Sequence, residues 1–129
     1  MSRGLGDVYK RQGKDSHRHR EAGASEVLLG SGARWALMAE LRGADLPDLD
    51  ALLSKLSPVD LVLVEGFKGA SHPKIEAHRG ETGAGLLAPE LPTVRAIASD
   101  NDAAVEGRAA FHLDDTAAIA NFIADELDL

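Results

Sequence analysis

Residues Leu61-Val62-Leu63-Val64 form an unbroken apolar run, entered from Asp60 and left through Glu65-Gly66. Such a run shows no alternation. It is predicted to be a strand covered on both faces, as strands of parallel sheets are. With helical and strand segments interleaved along the chain, that strand implies an α/β fold: a parallel or mixed sheet flanked by helices. At 129 residues one domain is expected. Aromatic residues are 4% of the chain against 44% hydrophobic overall, so the core has to be built from Leu, Val, Ile and Ala.

The remaining elements follow from capping and periodicity. The segment from Asp15 to Gly23 is predicted to be a short polar helix, with Asp15 or Ser16 capping its start and Gly23 ending it. Glu26–Leu29 and Arg34–Met38 are predicted to be strands around the turn Gly30-Ser31-Gly32. Leu49, Leu52, Leu53 and Leu56 share one helical face between Pro47 and Pro58. Further strands are expected at Lys74–His78, Val94–Ala98 and Ala110–Leu113. Residues 79–91 should be loop. A closing helix is expected from Asp115 to Leu127, capped by Asp114 or Asp115. Met1 to Gln12 has no apolar period. It is expected to be a non-native or frayed tail ahead of one domain over residues 13–129.

Charge and composition exclude several functions. The net charge of −7 disfavours nucleic-acid binding, which needs clustered Lys and Arg. There is no cysteine, so zinc fingers, iron–sulfur clusters and thiol catalysis are out. No apolar run approaches the ~20 residues that span a bilayer, and the N-terminus has no signal-like apolar region. A cytoplasmic protein without membrane partners is expected.

In open α/β sheets, ligands sit beyond the carboxyl ends of the strands. Two predicted strands put a carboxylate there, Glu65 and Asp100, while Asp15 and Ser16 open a helix. An apolar strand ending in an acid is the pattern of a Walker B element, whose carboxylate holds Mg²⁺ against phosphate oxygens. A solvated strand end is the commoner role of any one such residue. The companion phosphate loop, GxxxxGK[ST], is not met at Gly13-Lys14. Val8 stands where its first glycine belongs, Asp15 stands where Ser or Thr belongs, and no apolar strand precedes it. His17 and His19 fall on different helix faces, and His72, His78 and His112 lack ligand spacing. Trp35 and Met38 are expected in the core. Gly80–Gly85 (GETGAG) lacks a following lysine and reads as an ordinary mobile loop.

DSHRHREAGA (Asp15–Ala24), RWALM (Arg34–Met38), DLVLVEGFK (Asp60–Lys68), PKIE (Pro73–Glu76) and AIASD (Ala96–Asp100) occur in that order. Together they resemble the MobB family, GTP-binding proteins of molybdopterin-guanine dinucleotide biosynthesis. The resemblance runs from about Gly13 to the C-terminus. It implies a partial fold of the P-loop NTPase kind, GTP and Mg²⁺ as ligands, and a place beside a MobA-type guanylyltransferase that joins GMP to molybdopterin. It also implies weak GTPase activity at most, and a homodimer when complete. In that family the phosphate loop precedes the DSxRxR segment. The chain is therefore expected to be N-terminally truncated, and inactive without that loop.

By position in the motifs, the resemblance makes Glu65 the magnesium ligand, with Gly66 allowing close backbone approach. It gives Asp15 a metal or γ-phosphate role. Arg20 and Lys68 become phosphate contacts, against a surface ion pair for the first and a solvated loop position for the second. Ser99 and Asp100 become readers of the guanine base. Two alternatives stand beside this reading: a nucleotide-independent module that binds MobA or molybdopterin, and another P-loop small-molecule kinase or ligase. Without a covering strand, Leu61–Val64 should leave strand edge and apolar surface exposed.

Overall fold

The computed structural model describes residues 15–129. The expectation for residues 1–12, and the test of Gly13-Lys14 as a phosphate loop, fall outside them. The chain divides into two compact units, Met1–Asp48 and Leu49–Leu129.

In the first unit, helix α1 covers described residues 15–21 and stops at Gly23, whose φ of +109° is the left-handed conformation expected of a glycine stop. Strands β1 (Glu26–Gly30) and β2 (Trp35–Ala39) pair antiparallel, with Leu28 opposite Leu37 and Gly30 opposite Trp35. The Ser31 hydroxyl closes their turn. It donates to the Arg34 carbonyl (3.0 Å) and accepts from the Ala33 and Arg34 N–H groups. Period-two alternation half-buries Leu29, Ala36 and Met38 on one face, where Val27 is buried. The opposite face carries Leu28, Trp35 and Leu37. Trp35 is 70% exposed, so the expectation of a core tryptophan is corrected. Its register opposite Gly30 puts it on the outward face of the ribbon. Arg42 ties this unit together by donating from Nη2 to the carbonyls of Arg20 (3.1 Å) and Ala24 (3.0 Å).

The second unit opens with α2 (Leu49–Leu53). This helix is shorter than the leucine spacing predicts. Ser54 turns its hydroxyl back onto the Ala51 carbonyl, and Leu56 lies beyond the helix, exposed. The predicted strand Leu61–Val64 is not formed. The segment is irregular, and Leu63 is 78% exposed. Among the described residues no strand or hydrogen bond joins it. A run of apolar residues becomes a strand only when neighbouring strands take up its backbone polar groups.

The sheet of this unit is β3 (Lys74–His78), β4 (Val94–Ser99) and β5 (Ala109–His112), all parallel, in the order β3-β4-β5. The central strand is therefore β4, and its apolar residues are buried on both faces: Val94, Ala96, Ile97 and Ala98. The covered-strand pattern expected at Leu61–Val64 is realised here. The links between these strands are loops rather than helices. Residues 79–93 join β3 to β4 through a 3-10 turn at Gly80–Thr82, and residues 100–108 join β4 to β5. Ala88, Val94 and Ile97 form the core, with Leu86, Leu91 and Val105 packed against it, so the long loop itself supplies core residues. Helix α3 (Thr116–Leu127) starts at the expected cap, the Asp115 carboxylate accepting from the Ala118 N–H (3.2 Å). Phe122 of α3 meets Phe111 of β5 with ring centroids 5.4 Å apart, and Glu126 faces Arg95 of β4 (3.4 Å). No helix among the described residues is long and apolar enough to cross a membrane.

Candidate functional site

Three parallel strands end together, so their carboxyl edge gathers His78-Arg79, Ser99-Asp100 and His112-Leu113. Ligands favour this edge because the loops leaving it are free to vary around a rigid sheet. Here two carboxylates organise it. Glu76, on β3, accepts from the N–H groups of Leu87 (2.6 Å) and Ala88 (2.8 Å), one on each oxygen. Asp100 accepts from the Gly80 N–H through Oδ1 (2.9 Å). Charge-assisted bonds of this kind are stronger than neutral ones. They hold both ends of the loop that sequence alone casts as ordinary and mobile. Within it Thr82 donates its hydroxyl to the Arg79 carbonyl (2.9 Å), and Gly83, at φ +66°, turns its N–H onto the Gly80 carbonyl (3.2 Å). At Gly80 a Cβ would stand 2.6 Å from the Asn101 amide nitrogen, so the loop passes close over the turn after β4. Between this loop and β3 lies a cleft of about 430 Å³, closed on a third side by Leu113.

Ser99 and Asp100, the expected base readers, are occupied within the protein. Ser99 is 1% exposed, and its hydroxyl accepts from the Ala103 N–H (3.0 Å), which shapes the turn after β4. Asp100 is exposed, with one oxygen engaged by Gly80. A carboxylate reading both N1–H and N2–H₂ of guanine uses both oxygens, so in this conformation Asp100 has one to offer.

Glu65 and Lys68 stand on the loop after Leu61–Val64. Both side chains are exposed, and neither has a hydrogen-bond or ion-pair partner among the described residues. Gly66 (φ +88°) and Phe67 (φ +53°) are both left-handed. For Phe67 that conformation is uncommon, and it bends the chain sharply just past the carboxylate. The rigid strand that the Walker B reading gives Glu65 is not formed. The segment after this bend is fastened instead by Lys74, whose ammonium donates to the carbonyls of Ala70 and His72 (2.9 Å) and to the Thr93 hydroxyl (3.1 Å).

Asp15 and Arg20 belong to the first unit. Asp15 is exposed on α1. Arg20 faces Glu40 (3.5 Å), an ion pair of the kind weighed against a phosphate contact. Glu21 pairs with His17 one helical turn away (3.1 Å). Among the described residues no three His, Asp or Glu side chains cluster as a metal site.

Lys74 and Glu76 carry more of the architecture than the sequence reading assigns them. The available signal was two opposite charges, two residues apart, on a strand leading to the ligand edge of the sheet.

Comparison with known proteins places these features. The family described as molybdopterin guanine dinucleotide synthesis protein B (MobB) matches residues 6–100. The molybdopterin-guanine dinucleotide biosynthesis adapter protein of Escherichia coli K12 is 44% identical over 93 residues, 68% of this chain and 52% of that protein. The adapter protein of the same description from Haemophilus influenzae is 46% identical over 71 residues, 55% of this chain and 40% of its own length. The chain thus spans about half the length of the curated relatives it matches. A crystal structure of molybdopterin-guanine biosynthesis protein B superposes with a TM-score of 0.68 at 26% identity, covering 87% of this chain and 74% of that one. Bacillus subtilis MobB has the same fold, with a TM-score of 0.61 at 23% identity over 93% of this chain and 85% of its own. Motif order, family match and fold agree, and the chain belongs to the MobB family.

Proposed function

We propose that this chain serves as an adapter in molybdopterin-guanine dinucleotide biosynthesis, working beside a MobA-type guanylyltransferase and binding GTP with Mg²⁺. The observation that carries the reading is the family match over residues 6–100. Adapter proteins of two bacteria share 44% and 46% identity with the matched stretches. In this reading Glu65 is the magnesium ligand. An exposed carboxylate without a protein partner suits a hard cation, which takes oxygen donors and keeps several waters. Gly66 lets the chain turn tightly beside it. Asp15, Arg20 and Lys68 are assigned to the phosphate side. Asp100, assisted by Ser99, is assigned to the base. The base assignment requires Asp100 to bring its second oxygen to guanine or to release the Gly80 N–H. Magnesium would supply charge neutralisation at the phosphates.

The phosphate-binding loop of this reading belongs to a segment outside the present sequence. The unpaired Leu61–Val64, with Leu61, Val62 and Leu63 exposed, supports that view, because a neighbouring strand would complete it. The DNA upstream of the Gly13 codon tests this: a reading frame encoding GxxxxGK[ST] is expected there.

The functional test uses the chain extended by such a segment. GTP–Mg²⁺ binding by calorimetry should weaken about tenfold or more in Glu65→Gln, the loss of one charged contact. Equal affinity in Glu65→Gln and in the unsubstituted chain would reject Glu65 as the ligand. A second reading, a nucleotide-independent binding module, draws on the exposed Leu28, Trp35 and Leu37 of the ribbon. Capture of a MobA-type protein that persists without nucleotide, and is unchanged by Glu65→Gln, would favour it.

A further inference from the structure

The cleft between β3 and the 79–88 loop has features that the nucleotide reading does not use. Its volume, about 430 Å³, lies within the usual range of small-molecule sites. Leu87, Leu113 and Ala84 give it an apolar wall, and His78, Arg79 and Thr82 converge on it from the ends of β3 and the loop. The walls are set before any ligand arrives. Glu76 holds the Leu87 and Ala88 amides, Asp100 holds the Gly80 amide, and Thr82 and Gly83 close the turn between them. Preorganisation of this kind reduces the ordering cost of binding.

Two side chains in the cleft are left over. Neither the Arg79 guanidinium nor the His78 ring has a hydrogen-bond or ion-pair partner among the described residues. The chain carries 21 Asp and Glu against 14 Lys and Arg, so acids to pair with are plentiful. Glu76 lines the same cleft, but both its oxygens are taken up by backbone amides. A planar guanidinium at the carboxyl edge of a parallel sheet matches the two oxygens of a phosphate or carboxylate.

We propose that this cleft binds a small molecule with an oxyanion head and a compact apolar body. The head pairs with Arg79, with the His78 ring as a second donor, and the body rests on Leu87 and Leu113. The site draws on neither Glu65 nor magnesium, and it shares with the nucleotide reading only Asp100, whose hold on the Gly80 amide shapes one end of the loop.

The test is a titration of the whole chain, free of nucleotide and magnesium, followed through its amide NMR signals. The probes are phenyl phosphate, benzoate and neutral benzyl alcohol. At least one anion should saturate with shifts at Thr82, Ala84 and Gly85, and the alcohol should bind about tenfold more weakly or worse. The stronger of the two anions identifies the head group. Arg79→Gln should weaken the anion by about tenfold. Arg79→Lys, which keeps the charge and loses the fork, should fall between. Lys55→Gln, far from the cleft in sequence and exposed, should change nothing. Each variant is compared at equal dispersion of its remaining signals, so a folding loss is seen directly. The proposal is overturned if no anion saturates, if the alcohol binds as well as the anions, or if Arg79→Gln leaves the titration unchanged.

Discussion

Glu76 shows how one side chain can set a loop. Strand alternation sends it off β3 beside the chain that returns toward β4, and its oxygens meet two successive amides there. Those amides belong to Leu87 and Ala88, and Ala88 is a fully buried member of the core. The carboxylate therefore does two things at once: it satisfies the amide of Ala88, which would otherwise enter the core unpaired, and through the exposed Leu87 amide it fixes one wall of the cleft. Glu76→Ala is expected to lower unfolding stability by about 1–3 kcal/mol, measured by urea denaturation. The same variant should expose the Leu87 and Ala88 amides to faster hydrogen exchange while leaving those of β4 protected. Equal loss of protection in β4 would mean that Glu76 acts on global stability rather than on the loop. Of the candidate residues, Glu65 and Asp100 were visible as acids following apolar segments. Glu76 and Arg79 were not, because a charged residue within a short strand looks the same in sequence whether it meets water or two backbone amides.

Among the elements, β4 and Leu61–Val64 make an instructive pair. In sequence Leu61–Val64 is the more apolar and more strand-like, whereas β4 contains Arg95 and ends in Ser99. In the structure β4 is the central strand and Leu61–Val64 is unpaired. Strand formation is a property of pairs: β4 has β3 on one side and β5 on the other, and apolar character cannot replace a neighbour's amides and carbonyls. Because Leu63 is 78% exposed and touches no core, Leu63→Lys is expected to change stability by less than about 0.5 kcal/mol while raising solubility. A loss well beyond that, read from the thermal midpoint, would show that Leu63 is packed in solution. Elements whose signals are local were predicted well. The Asp115 cap, the Gly23 stop and the β1–β2 turn need only neighbouring residues, and they stand within a residue or two of where the pattern put them.

Across the whole chain, apolar surface is abundant outside the small core. Leu28, Trp35, Leu37, Val59, Leu61, Val62 and Leu63 are all exposed. Surface of this extent favours association and loose packing. The chain is therefore expected to bind the dye ANS and to melt over a broad range. A sharp cooperative transition from a monomer without dye binding would contradict this. Composition, motif order and helix signals were enough to assign the α/β class, the family and the ends of most elements, because each rests on residues close together in the chain. Which strand became central, which carboxylates were taken up by backbone amides, and where a cleft opened could be known only from the folded arrangement. Those outcomes depend on partners brought together from distant positions, and no local pattern names the partner.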